Sequence, residues 1–202
     1  MSAVLLAIIG FWLGSIPFSV WLGKLALKKD IRVYGDGNPG ATNVFRAGGR
    51  KLGVAAVLLD TLKGMIPVGI GYYALGLRGA ELVLVAITPV LGHAFSPFLN
   101  FRGGKAVAVT FGIWVGLTIW EAPTVLGLML FYWFRSVRVS GWAMMFALAS
   151  LMIYLVLAHP DPTLIVILLL NSGILAWKHR SDLTQAPGFY PWYRNLRFAW
   201  KP

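Results

Sequence analysis

Seven apolar blocks run along the chain, at residues 3–27, 52–75, 80–98, 105–120, 122–135, 140–158 and 162–178, separated by short polar connections. A helix that crosses a bilayer takes about 20 such residues, with about 17–25 the usual range, so the blocks predict membrane spans. The fourth and fifth are short. Between them stands Trp120-Glu121-Ala122-Pro123, where a carboxylate and a proline together argue against a continuous helix and predict a broken hairpin. Pro17, Pro67 and Pro89 lie inside other blocks and are expected to kink their helices without breaking them. The longest stretch lacking an apolar core of its own is Asp30–Lys51, DIRVYGDGNPGATNVFRAGGRK.

Composition agrees with the pattern. The 202 residues are 58% hydrophobic and only 12% charged, with mean hydropathy +0.73, against about 25% charged in a soluble domain. The fold expected is an all-α, polytopic helix bundle forming one domain over residues 1–202, with 181–202 an interfacial tail. There is no cysteine, which excludes disulfides, a thiolate nucleophile and Cys-ligated metal. Met1–Leu13 holds no basic residue, and the first lysine is Lys24. The first block therefore reads as a retained span rather than a leader.

The net charge of +11 is read by position. All basic residues except Lys63 and Arg78 fall in alternate connections or in the tail. By the positive-inside rule the N-terminus is outside and the C-terminus cytoplasmic, with seven spans. The charge is then mostly topology, and nucleic acid is not the expected partner. The same topology starts three helices on the cytoplasmic side, near Lys51, Gly104 and Ser140. Their N-terminal N–H groups can face one anion.

Asp30–Lys51 has the ingredients of an anion loop: Gly37, Gly40, Asn38, Thr42 and Asn43 with Arg46. Glycine lets backbone N–H groups approach a ligand closely, and arginine supplies a planar fork of donors. Gly103-Gly104-Lys105 repeats the theme before the fourth block. Within the spans, Asp60 and Lys63 are spaced i, i+3 and are expected to pair. Lys63 lies in the cytoplasmic half, within reach of an anion. His93 is the candidate acid–base residue, and Asn171 reads as a tie between helices. No nucleophilic triad and no metal cluster are evident. His93, His159 and His179 are followed five residues on by Phe98, Leu164 and Thr184, so the His-x4-Asp pair of the common glycerol-phosphate acyltransferases is missing. Residues alone leave two readings open: a reaction between phosphorylated substrates, one of them a lipid, or a membrane transporter for an organic phosphate.

Four stretches carry a resemblance: Gly14-Ser15-Ile16-Pro17 to Lys24; Asp30-Ile31-Arg32 to Gly37-Asn38-Pro39-Gly40-Ala41-Thr42-Asn43-Val44-Phe45-Arg46; Leu59-Asp60-Thr61-Leu62-Lys63-Gly64; and Gly92-His93 to Phe101-Arg102-Gly103-Gly104-Lys105. Over roughly residues 10–110 the chain resembles the bacterial acyl-phosphate:glycerol-3-phosphate acyltransferases (PlsY-type), and beyond that at Val139-Ser140 and Lys178-His179-Arg180. The resemblance implies acyl transfer from acyl phosphate to the 1-hydroxyl of glycerol 3-phosphate, giving lysophosphatidic acid and phosphate in phospholipid synthesis. It also implies a site at the cytoplasmic face of the inner membrane, no cofactor, and a peripheral enzyme that supplies the acyl phosphate. Arg46, Lys105, Ser140 and His179 match positions that line the family's phosphate pocket, and Gly37–Asn43 its loop.

Three departures stand out. Asp36 replaces the usual serine of the loop, Asp182 replaces the asparagine that follows the His-Arg pair, and the family's acidic C-terminal motif is absent. A carboxylate beside a phosphate is repulsive unless it turns away or pairs with a lysine or arginine.

Overall fold

The computed structural model describes residues 2–191. They form ten α-helices: α1 (Ala3–Ser15), α2 (Phe18–Ala26), α3 (Ala41–Arg46), α4 (Arg50–Gly69), α5 (Gly79–Ala94), α6 (Val107–Thr118), α7 (Glu121–Ser136), α8 (Ser140–Ala158), α9 (Pro162–Lys178) and α10 (Arg180–Leu183). One isolated antiparallel bridge, Val137 to Phe189, is the exception to an all-helical fold among the described residues.

Every apolar block is helical, but they are not equal. Among the described residues four stretches are long and apolar enough to cross a membrane: Ala3–Ala26, Arg50–Ala74, Gly79–Leu99 and Ser140–Ala158. The helices α6, α7 and α9 have 12, 16 and 17 residues. The expected break between the fourth and fifth blocks lies at Ile119, whose φ of 58° no helix accommodates. One N–H of the new helix's first turn, that of Ala122, donates back across the break to Thr118 Oγ1 at 3.1 Å.

Pro17 departs from expectation. It breaks its helix rather than kinking it: α1 stops at Ser15, Ile16 is extended, and α2 restarts at Phe18. The break frees carbonyls that apolar surroundings cannot satisfy. The Lys63 ammonium donates to Ile16 O at 2.9 Å, which otherwise accepts only the strained i, i+2 bond from the Phe18 N–H at 3.1 Å, and the Ser96 hydroxyl donates to Ser15 O. Lys63 also pairs with Asp60 at 2.7 Å, both side chains almost wholly buried. Lys63 is therefore held between Asp60 and the backbone at the break. By contrast, Pro67 and Pro89 sit inside continuous helices, although the chain beyond Pro67 widens into a π turn over Ile70–Ala74.

Two helix pairs dominate the packing, α1 on α5 and α4 on α6. Both close onto glycines. A side chain at Gly92 would overlap the carbonyl of Phe11, and one at Gly112 the carbonyl of Thr61, so backbone meets backbone. The main core, with Val90, Trp114, Leu126, Met144, Leu151 and Ile167, runs through α5, α6, α7, α8 and α9 and touches α4 at Val68. Asn171 ties α9 to α6 through Thr110 Oγ1 at 3.0 Å, as expected of it. At the start of the tail, Tyr190 N–H donates to Ser136 O and Arg138 N–H to Gly188 O. The expectations for Trp192, Tyr193, Arg194, Arg197, Phe198, Trp200 and Lys201 lie outside the described residues.

Removing one partner of a buried pair leaves the other charge stranded, at a cost of about 3–5 kcal/mol. Lys63→Ala is expected to lower thermal stability in detergent by an amount in that range, and Asp60→Asn with Lys63→Met by clearly less than Lys63→Ala alone. Equal losses would remove the argument.

Candidate active site

The loop after α2 folds on itself before it offers anything to a ligand. Asp30 caps a single 3-10 turn, Ile31–Val33, and its carboxylate forks onto Arg32. The Arg32 hydrogen bond draws the Asp30 carboxyl down to about 2. Gly37 has φ +72° and donates its N–H to Tyr34 O, and the Gly40 N–H donates to Asn38 O. These glycine N–H groups serve the loop's own turns. Buried Asn43 is the organiser: its Nδ2 donates to Asp36 Oδ1 at 3.2 Å and to Asn38 O at 2.9 Å, while its Oδ1 accepts from Arg46 at 3.1 Å. Asn38 then joins this loop to the start of α6, its Oδ1 accepting the Lys105 N–H at 3.0 Å.

The result is a cleft of about 390 Å³ at the end of the bundle. One wall is polar, with Asp36, Asn38, Thr42, Arg46 and Lys105. Ser140, at the start of α8, and His179, at the end of α9, complete it. Asp60 and His93 lie deeper. Val57, Val107, Phe111 and Phe134 form an apolar side from α4, α6 and α7. A second groove, of about 720 Å³, is lined by Gly37, Arg102, Gly103, Lys178 and Arg180, and shares Asp36, Asn38 and Lys105 with the cleft.

Charge in the cleft is closely balanced. The Lys105 ammonium lies 3.1 Å from Asp36 Oδ2 and 3.3 Å from Asp182 Oδ2. Arg46 is 3.8 Å from Asp36 Oδ1, and the Ser140 hydroxyl donates to Asp182 at 3.0 Å. Burial opposes ionisation of Asp36, but the hydrogen bonds from Lys105, Asn38 and Asn43 outweigh it and hold the carboxyl below its usual range. The carboxylates that sequence reading marked as repulsive are thus the partners of the lysine. Such a site can hold an anion beside an apolar chain and can align two substrates. Among the described residues no group of three metal-ligating side chains occurs.

The family model for glycerol-3-phosphate acyltransferases matches residues 4–186. The chain belongs to the glycerol-3-phosphate acyltransferase family. A relative from Aromatoleum aromaticum named glycerol-3-phosphate acyltransferase is 36% identical over 187 residues, 91% of this chain and 92% of that one. One of the same name from Enterococcus faecalis is 46% identical over 113 residues, a match that spans about half of each chain, 56% and 52%. The fold is similar to the crystal structure of PlsY (YgiH), an integral membrane glycerol 3-phosphate acyltransferase, in its glycerol 3-phosphate form. The TM-score is 0.82 at 31% identity, covering 96% of this chain and 98% of that one.

Not every residue expected of a family member reaches the cleft. Lys63 lies behind Asp60, capping Ile16. Gly103 and Gly104 are glycines for packing: a side chain at Gly103 would overlap the His93 carbonyl, and one at Gly104 the His93 imidazole. The Gly104 N–H is spent on His93 O at 3.1 Å. Gly37 and Gly103 face the second groove, Asn43 acts within the loop, and Asp182 acts through Lys105 and Ser140. Of the three helix starts expected to converge, those of α6 and α8 do. α4 presents its flank instead, through Val57 and Asp60, and the start of α3 takes its place. Asp60 was legible only as half of an ion pair, and the apolar side chains of the cleft carry no signal that separates them from ordinary lipid-facing residues.

His179 allows a pH test. It is 4% exposed, and burial lowers its pKa below the ordinary value of 6.5, against the opposing effect of the Leu175 carbonyl at its Nδ1. A lowered histidine pKa means that the unfolded chain binds the proton first. Stability from this residue is complete above pH 6.5. As pH falls from there to the folded-state value it is lost, at up to about 1.4 kcal/mol per pH unit. His179→Gln is expected to flatten the fall in melting temperature between about pH 6.5 and 5. An unchanged slope would show the imidazole to be solvated.

Proposed function

We infer that this family member transfers an acyl group from acyl phosphate to the 1-hydroxyl of glycerol 3-phosphate, releasing lysophosphatidic acid and phosphate. One observation carries this reading: the two cations Arg46 and Lys105 and an apolar wall meet in one cleft at the end of a membrane bundle. An acyl phosphate has both chemistries in one molecule, a phosphate for the polar wall and a chain for Val57, Phe111 and Phe134. The match to an integral membrane acyltransferase supports the setting.

An acyl phosphate is a mixed anhydride with a good leaving group, so no protein nucleophile is required. The glycerol hydroxyl oxygen forms a bond to the carbonyl carbon, and the bond from that carbon to the phosphate oxygen breaks. The hydroxyl proton ends on the departing phosphate. Catalysis then rests on alignment and on stabilising charge as it develops on the carbonyl oxygen and the phosphate. Arg46 and Lys105 do this in our reading. Asn38, Thr42, Ser140 and His179 hold the phosphates, and His93 is the alternative proton acceptor in the depth of the cleft. We further place this end of the bundle in the cytoplasm, with seven spans, the N-terminus outside and the protein in the inner membrane, and with a peripheral enzyme supplying the acyl phosphate. The clustering of basic residues at this end supports that orientation.

Purified full-length protein given acyl phosphate and glycerol 3-phosphate is expected to release lysophosphatidic acid and phosphate, and to be much slower with acyl-CoA. Absence of both products would refute the reading. Arg46→Ala and Lys105→Ala should each cut kcat/KM at least about tenfold, since a charged contact made in the transition state is worth about 2–4 kcal/mol. Near-normal rates in both would remove their assigned roles.

A further inference from the structure

We propose that Asp36 and Asp182 together form a resident counter-anion for Lys105, which an incoming phosphate has to displace, and that this pair sets the phosphate affinity of the site. The inference deepens the reading of the cleft as a phosphate site and rests on it.

The two aspartates come from distant parts of the chain, the loop before α3 and the short helix α10, yet both carboxylates meet one ammonium, at 3.1 and 3.3 Å. Their convergence makes them one feature. Asp182 further accepts a hydrogen bond from the Ser140 hydroxyl at 3.0 Å, so this donor of the cleft wall is occupied by the carboxylate. Asp36 draws Arg46 to 3.8 Å. The Lys105 ammonium and one hydroxyl donor are therefore committed to carboxylate oxygens, Arg46 hydrogen-bonds Asn43 Oδ1 beside Asp36, and two positive charges stand against two negative ones. Asp36 and Lys105 line both the cleft and the second groove, so their contact is a shared wall between the two.

A phosphate that takes the ammonium must loosen at least one carboxylate, and the loosened carboxylate then repels it. Replacing either aspartate by its amide keeps the shape of the side chain while removing one negative charge and turning one acceptor oxygen into a donor. The cleft then gains net positive charge, which favours anions and makes their binding more sensitive to salt.

The test is calorimetric binding of inorganic phosphate and of glycerol 3-phosphate to full-length protein in detergent, for wild type, Asp36→Asn, Asp182→Asn and the double variant. No acyl donor is needed. Each single amide is expected to tighten phosphate binding about fivefold or more, a shift of about 0.7 on the logarithmic scale, and to steepen its salt dependence. In turnover the same variants should show stronger inhibition by product phosphate and a lower KM for glycerol 3-phosphate. If wild type binds and neither amide binds more tightly, or if kcat falls with KM unchanged, the carboxylates only position Lys105 and the inference is overturned. If no form binds either anion, the reading of the cleft itself fails. Asp36→Ser stands in where Asp36→Asn does not fold, with the same expected tightening.

Discussion

A backbone carbonyl deprived of its helical partner has no water to turn to inside an apolar bundle, and Pro17 creates that situation in the first long helix. The repair sets the position of much else. Lys63 reaches from α4 to Ile16 O, which brings a buried ammonium into the bundle and requires a carboxylate beside it. Asp60 supplies it at 2.7 Å and takes the Ser19 hydroxyl from α2 on its other oxygen. Ser96, just past α5, closes the neighbouring carbonyl of Ser15. Three segments are thus pinned to one break, and the pinned carboxylate forms the depth of the cleft with His93. A polar floor in an apolar bundle is here a consequence of backbone satisfaction.

The upper part of the cleft rests on the side-chain amides of Asn43 and Asn38. Asn43 braces the loop from inside, and Asn38 fastens it to Lys105 N–H. Without this fastening the lysine at the start of α6 and the arginine at the end of α3 would belong to independently moving segments. The α3 helix is only six residues long and cannot hold its own geometry in isolation. It is held by packing, through Val44 and Ala47 against Val20 and Ile31.

How much of this could be read beforehand differs by kind of residue. The helical blocks were legible because apolar length alone decides them, and Arg46, Lys105, Ser140 and His179 were legible through the family resemblance, which matches each of them to a phosphate-pocket position. The use of Lys63 was not, since it depends on whether Pro17 kinks or breaks a different helix, and both outcomes share one sequence. Gly103 and Gly104 misled for a related reason. A glycine that admits an anion and a glycine that admits a neighbouring carbonyl are the same letter, and only the position of His93 above them separates the cases. Asp36 and Asp182 were recognised singly as anomalies, with pairing to a lysine or arginine as one way out. Their meeting at one ammonium is a property of three-dimensional closure.

A net charge of +11 does not by itself make phosphate bind tightly, because most of that charge lies away from the cleft. Inside it, cations and carboxylates balance. Such a balance is chemically reasonable for a site that must also let phosphate go. An interaction that holds substrate, transition state and product equally lowers KM without raising kcat, and a cage of uncompensated cations would hold the departing phosphate as firmly as the arriving one. Carboxylates that return to Lys105 when the anion leaves offer the lysine a partner in both states. The ammonium is never left bare, and the charge that remains to be stabilised is the part that develops during transfer.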